Sequence, residues 1–267
     1  MTRTRCGVLG SPIAHSLSPQ LHRAAYAALG LDWEYDAHEV DAADLADFLD
    51  GLDGRWRGLS LTMPLKRAVL PYLDDVSDRA ALAGAANTVV LDGARRVGDN
   101  TDIPGAAAAL REHYAGPLRR ATVVGGGATA ASVSWALADL GCELVTLLVR
   151  DPDRAAGTVA VLGRHPRSPS VEVRPLGAEV PGADVVVSTV PATAHESLLR
   201  LARQCAVLFD VVYDPWPTPL AVAAQASGAV VVSGHDLLVH QAALQVELMT
   251  GRAVGVNVLR AALEPVG

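Results

Sequence analysis

Short apolar runs alternate along the chain with stretches of helical spacing. In the first part, Cys6–Gly10, Glu34–Val40, Gly58–Leu61 and Asn87–Leu91 are expected as strands. Residues 19–29 are expected as a helix, with Leu21, Ala25 and Ala28 on one face, and residues 42–52 as a second. A second series begins near Ile103. Its predicted helices are residues 104–113 and 130–140. Its predicted strands are 121–124, 144–149, 183–188, 207–212 and 229–232, with residues 163–170 as a loop. Residues 237–250 and 256–263 close the chain as helices. The strands of the second series are apolar without alternation, as expected for a parallel sheet covered on both faces. The pattern predicts an α/β protein: an N-terminal α/β domain, then a Rossmann-type doubly wound parallel sheet. The expected boundaries are 1–103, 104–236 and 237–267, the last being helices that return to the first domain.

The strand at 121–124 runs into Gly125-Gly126-Gly127-Ala128-Thr129-Ala130 and then a helix, the context a dinucleotide-binding turn requires. Gly125 would make the tight turn and Gly127 would admit the pyrophosphate. Ala130 would let the helix pack close to the strand. The next strand ends in Arg150, with Arg154 one turn later. Two guanidiniums suit the 2′-phosphate of NADP. Asp151 cuts the other way, because a carboxylate there favours NAD; NADP is expected ahead of NAD.

Composition narrows the partners. The formal net charge is −7 and no long basic run exists, which makes nucleic acid and anionic membrane poor partners. No apolar run approaches the ~18 residues of a membrane span, and no secretory leader is recognisable. Three scattered cysteines argue against a disulfide framework or a metal site and fit a cytoplasmic protein with buried thiols. Of the 22 basic residues, only Lys66 is a lysine. A lysine that persists among arginines marks a position that needs a compact point donor.

The N-terminal part adds denser signals. Ser16 and Ser18 precede a helix, with Ser18 expected as N-cap and Pro19 as the first helical residue. Two hydroxyls there suit a small carboxylate. With GSPIAHSLSP, LTMPLK, GAANTVV, GDNTD, the glycine turn, YDPWPTPL and LLVHQAALQ in this order, the chain resembles the shikimate dehydrogenase family. The resemblance implies NADPH-dependent reduction of 3-dehydroshikimate to shikimate, in aromatic amino-acid biosynthesis. It implies Ser16 and Ser18 at the substrate carboxylate, and Thr62, Asn87 and Gln241 at ring hydroxyls. It implies Tyr213 beside the substrate and Lys66 and Asp102 as the catalytic pair, in a cleft between two domains. Gly125, Gly126, Gly127, Ala128, Thr129, Ala130, Arg150, Arg154, Thr189 and Gly234 would form the cofactor site. The chain departs from the family pattern at Ser60, often asparagine, at Ala128, and at Val149-Arg150-Asp151 and Val187-Ser188-Thr189. A relative acting on quinate or an aminated analogue with NAD would share Lys66 and Asp102. A non-catalytic ligand sensor would have no need of that pair. Whether Lys66 acts alone or through Asp102, and whether the chain forms a homodimer, are left open by the sequence.

Overall fold

The computed structural model describes residues 3–93 and 95–263. The chain divides into two compact units: residues 1–101 with 238–267, and residues 102–237.

The first unit opens with β1 (Thr4–Gly10), α1 (Ser18–Ala28), β2 (Trp33–Glu39), α2 (Leu45–Asp50), β3 (Trp56–Leu61) and α3 (Leu65–Ala68). It continues with β4 (Asp75–Val76), α4 (Asp78–Ala83), β5 (Thr88–Asp92) and β6 (Arg95–Asp99). The strands form one sheet in the order β2-β1-β3-β5-β6-β4. Its first three strands are parallel; β5 runs antiparallel to β3 and β6. Alternation along β1 sends Cys6 and Val8 to one face and Leu9 to the other. Leu9 joins Leu45, Leu49, Leu65 and Val69, while Cys6 and Val8 pack with Tyr26, Tyr35 and Met249. Both faces are therefore covered.

Four elements of this unit escape the hydrophobic pattern, the four-residue α3 among them. The two residues of β4 are exposed, and β6 is polar at both ends. Helix α4 is set by its ends instead: Ser77 Oγ accepts from Ala80 N, and Gly84 closes it at φ 58°. The expected N-cap at Ser18 is corrected. Leu17 already has helical dihedrals, so Ser18 is the first helical residue and Pro19 the second, with no side-chain cap bond.

The second unit runs α5 (Asp102–His113), β7 (Arg120–Val124), α6 (Ala128–Asp139), β8 (Leu144–Val149), α7 (Ala156–Leu162), β9 (Ser170–Pro175), β10 (Val185–Ser188), α8 (Leu199–Ala202), β11 (Val207–Asp210), α9 (Pro219–Ala226) and β12 (Val230–Ser233). All six strands are parallel, in the order β12-β11-β10-β7-β8-β9. Taken from β9, this is the 3-2-1-4-5-6 order of the doubly wound dinucleotide fold, with its switch point between β7 and β10. The predicted loop at 163–170 ends one residue earlier, because Ser170 opens β9. That strand lies at the sheet edge and is largely exposed, so it carries no apolar run.

Helices α10 (Gly234–Thr250) and α11 (Val256–Leu263) follow as the last of the described residues, and the unit boundary falls inside α10. Within the first unit, Val239, Ala242 and Val246 of α10 and Leu259 of α11 bury against Leu21 and Ala25 of α1. Among the described residues no helix is long and apolar enough to cross a membrane.

Candidate functional site

In the first unit the loops at the carboxyl ends of β1 and β3 are tied by backbone bonds. Thr62 N donates to Leu9 O at 3.0 Å and Ser11 N to Met63 O at 2.9 Å. Gly10 has no room for a side chain, because a Cβ there would run into the Thr62 methyl group. The Ser11-Pro12 and Met63-Pro64 peptides in these two loops are cis. Ser16 and Ser18 lie at the start of α1, with Ser18 N 3.4 Å from Ser16 Oγ. With the Ser18 N–H directed at Ser16 Oγ and Pro19 lacking an N–H, the two hydroxyls are the groups here that suit a carboxylate.

Lys66 lies in α3 and is half-buried. Its carbonyl accepts from Ala86 N at 2.8 Å, which sets the lysine's turn against the start of β5 and so against Asn87. Asn87 is the hub of a buried polar group. Its Oδ1 accepts from Thr101 N and from Thr88 Oγ1, both at 2.8 Å. Its Nδ2 faces Thr101 Oγ1 at 2.9 Å and Gln241 Oε1 at 3.4 Å. Lys66, Thr62, Asn87 and Gln241 thus come from motifs far apart in sequence and gather within one unit. Thr101 and Gln245 belong to the same group and were not singled out by sequence. Thr101 stood beside the chemically conspicuous Asp102. Gln245 follows Gln241 by one helical turn, a spacing that could have flagged it.

Below this group Asp99 anchors the strand end. Burial alone would raise its carboxyl, but Arg79 at 2.6 Å, Ser77 at 2.7 Å and the Asn100 N–H at 2.6 Å hold it below the ordinary aspartate value.

The second unit carries the remaining candidates. Asp102 is buried at the first position of α5. Gly125 has φ 116°, which an L side chain rarely adopts, and a Cβ there would strike Thr189 Oγ1. Thr189 in turn donates to Val124 O at 2.9 Å, so it closes the glycine turn from across the switch point. Gly126 abuts the Arg154 carbonyl and Ala155 Cα, and its own carbonyl accepts from buried Thr158 Oγ1 at 3.0 Å. Gly127 is the N-cap of α6 and has no side-chain cap bond; a Cβ there meets nothing within 4 Å. The first intrahelical bond, Ala131 N to Gly127 O, leaves the N–H groups of Ala128, Thr129 and Ala130 ahead of it. Such an arrangement could receive an anion and leaves room for backbone approach, as a dinucleotide pyrophosphate would require. Arg150 and Arg154 are both exposed. Gly234 is required small by the Val211 carbonyl that crowds it. Tyr213 stands 5.7 Å from the His235 ring, in the loop after β11.

Behind these loops lies a buried cluster that the sequence did not reveal. His195 and Asp210 are both fully buried, with Nδ1 and Oδ2 3.8 Å apart. Ser188 Oγ is 3.2 Å from His195 Nε2, and Asp210 accepts from Thr218 Oγ1 at 2.5 Å. Burial raises the Asp210 carboxyl. The three cysteines carry free thiols, and burial pushes each to about 11.

Known proteins match this arrangement along nearly the whole chain. The profile for the shikimate dehydrogenase substrate binding domain matches residues 8–89, and that for the shikimate 5'-dehydrogenase C-terminal domain matches residues 234–264. A shikimate dehydrogenase (NADP(+)) of Moorella thermoacetica is 37% identical, over 94% of this chain and 90% of that protein. The crystal structure of Mycobacterium tuberculosis shikimate dehydrogenase aligns with a TM-score of 0.89 at 44% identity, covering 97% of this chain and 98% of the other. Shikimate 5-dehydrogenase from Thermus thermophilus, in complex with NADP(H) and shikimate, aligns at 0.83 and 32% identity, covering 97% and 98%. With both domain profiles matched and such identity sustained end to end, the chain belongs to the shikimate dehydrogenase family.

Proposed function

We propose that this chain catalyses the reversible, NADPH-dependent reduction of 3-dehydroshikimate to shikimate. The carrying observation is the bond from Ala86 N to the Lys66 carbonyl, which brings the only lysine beside the Asn87 group. Bound NADPH would supply the hydride. Gly125, Gly126, Gly127, Ala128, Thr129 and Ala130 would receive the pyrophosphate, with Thr189 bracing the turn and Gly234 keeping the backbone close. Arg150 and Arg154 would meet the 2′-phosphate.

Ser16 and Ser18 would hold the substrate carboxylate, and Thr62, Asn87 and Gln241 the ring hydroxyls; Tyr213 would lie beside the ring. Reduction of the ketone places negative charge on its oxygen. The Lys66 ammonium stabilises that charge and gives up one proton, leaving the alcohol and a neutral amine. In the oxidative direction the amine takes the hydroxyl proton back. Asp102 would orient the lysine and set its basicity. The negative net charge supports a small-molecule substrate and argues against nucleic acid. Free thiols support work in a reducing compartment such as the cytoplasm.

Steady-state oxidation of shikimate and of quinate, each with NADP and with NAD, tests the assignment. Shikimate with NADP should give the highest kcat/KM. A higher value for quinate or for NAD would replace this reading with that of a quinate-type enzyme.

A further inference from the structure

We propose that Gln245 is a positioning residue for substrate recognition: with Ser60, Tyr35 and His22 it locks the Asn87 amide so that its NH2 faces Thr101 and Gln241. The proposal rests on the reading that Asn87 and Gln241 bind ring hydroxyls.

The direction of every bond follows from one atom that can only accept. Gln245 Nε2 lies 3.0 Å from the Asn87 backbone carbonyl, so that end of the amide is the nitrogen. Oε1 then faces Ser60 Oγ at 2.8 Å and His22 Nε2 at 3.3 Å, and both must donate. His22 is fully buried, its pKa is pushed down to about 3, and its ring stacks on Tyr35 at 4.0 Å. It is therefore a neutral imidazole with its proton on Nε2. Ser60 gives its only hydrogen to Gln245, so it accepts from Tyr35 OH at 2.6 Å. All four hydrogen-bonding positions of the Gln245 amide are accounted for, since Nε2 also donates to Thr88 Oγ1 at 3.0 Å.

The order passes on from there. Thr88, receiving from Gln245, directs its own hydrogen to Asn87 Oδ1 at 2.8 Å. That oxygen also takes the Thr101 N–H. With Oδ1 held by two donors and its backbone carbonyl held by Gln245, Asn87 cannot flip. Its NH2 stays toward Thr101 Oγ1 and Gln241 Oε1. Gln245 itself is buried one helical turn beyond Gln241 and orders the contact residues from behind. Ser60 is the link between Tyr35 and Gln245.

Initial rates on the full-length enzyme with shikimate varied at saturating NADP test this. Gln245→Met should raise the shikimate KM by about tenfold, equivalent to ~1.4 kcal/mol, and leave the NADP KM within about twofold. In an Asn87→Ala background the same change should add nothing, because the group it positions is gone. An unchanged shikimate KM in Gln245→Met, or an equal factor in both backgrounds, overturns the proposal and leaves Gln245 a scaffold residue. Asn87→Ala with an unchanged shikimate KM would instead overturn the assignment of Asn87 itself, and this proposal with it. If Gln245→Met does not fold, the pair Ser60→Ala and Tyr35→Phe removes both hydroxyls together and should raise the shikimate KM about threefold; no rise is again a refutation.

Discussion

Gly126 and Gly127 are neighbours of the same residue type, yet the structure assigns them opposite consequences on substitution. Gly127 has φ −83° and ψ −171°, dihedrals open to any residue, and a Cβ there meets nothing within 4 Å. Replacing glycine by alanine at an N-cap costs about 0.5–1 kcal/mol. The loss of unfolded-state freedom returns about 0.4–1 kcal/mol. The two offset, so Gly127→Ala should leave Tm within about 2 °C. Its methyl group, however, stands in front of the N–H groups that open α6. If a phosphate approaches there, one charge-assisted bond worth about 1.5–3 kcal/mol is lost. That corresponds to a rise of roughly 10- to 150-fold in the NADP KM, with the shikimate KM little changed. Gly126 is the control. A Cβ there would lie 2.9 Å from the Arg154 carbonyl and 3.1 Å from Ala155 Cα, both backbone atoms. Gly126→Ala should therefore destabilise by about 1–3 kcal/mol through overpacking. Initial rates with NADP varied, beside thermal unfolding by circular dichroism, separate the two. A Gly127→Ala enzyme with wild-type NADP KM would refute the placement of the pyrophosphate. A Tm loss as large as that of Gly126→Ala would refute the geometric argument.

Lys66→Ala should lower kcat by at least about 100-fold while NADPH binding, followed by titration of its nucleotide fluorescence, persists; Lys66→Arg should fail similarly because the planar fork cannot act as a point donor. Normal turnover in either variant removes Lys66 from the chemistry. Asp210→Ala removes the acceptor of the buried Thr218 hydroxyl and should cost about 1–3 kcal/mol, read as a fall in Tm; an unchanged Tm would show that this bond contributes nothing. Asp99 has its native pKa below the unfolded value, so its contribution is complete above about pH 3.9 and is lost as pH falls through the lower native value. Urea midpoints measured down the acid limb should fall less steeply in Asp99→Asn than in the parent, and equal slopes would discount the Arg79 pairing.

The second unit was largely legible in sequence because parallel strands buried on both faces stand out as plain apolar runs, as in β7, β8, β10 and β11. What escaped notice has no such signature. Edge strand β9 alternates between exposed and half-buried residues, and α4 and α9 are defined chiefly by the caps Ser77 and Thr218. In the site, residues whose chemistry is conspicuous by type, such as Lys66 and the glycines of the turn, could be named in advance. Thr101 could not, because its role depends on which atoms face it once β5 and α10 have packed together, and Gln245 had only its helical spacing from Gln241 to mark it. His195 and Asp210 were hidden for the same reason: fifteen positions separate them along the chain, and only the adjacency of β10 and β11 brings their loops together.

The cofactor question shows how a local bond can change the meaning of a residue. From sequence, Asp151 is the feature that favours NAD, since a carboxylate after the second strand of this fold receives ribose hydroxyls. In the structure, Asp151 Oδ1 accepts from Asp153 N at 3.1 Å and caps the short turn at Pro152–Ala155. Its cap fixes the very turn that presents Arg154, and the Arg154 carbonyl packs against Gly126. A carboxylate so employed organises the arginine side of the pocket. Arg150, the residue that directly follows β8, is left exposed at the strand end. On the proposed function, the residue whose charge would oppose a 2′-phosphate belongs to the turn that carries Arg154, so an acid in this motif is compatible with the proposed use of NADP.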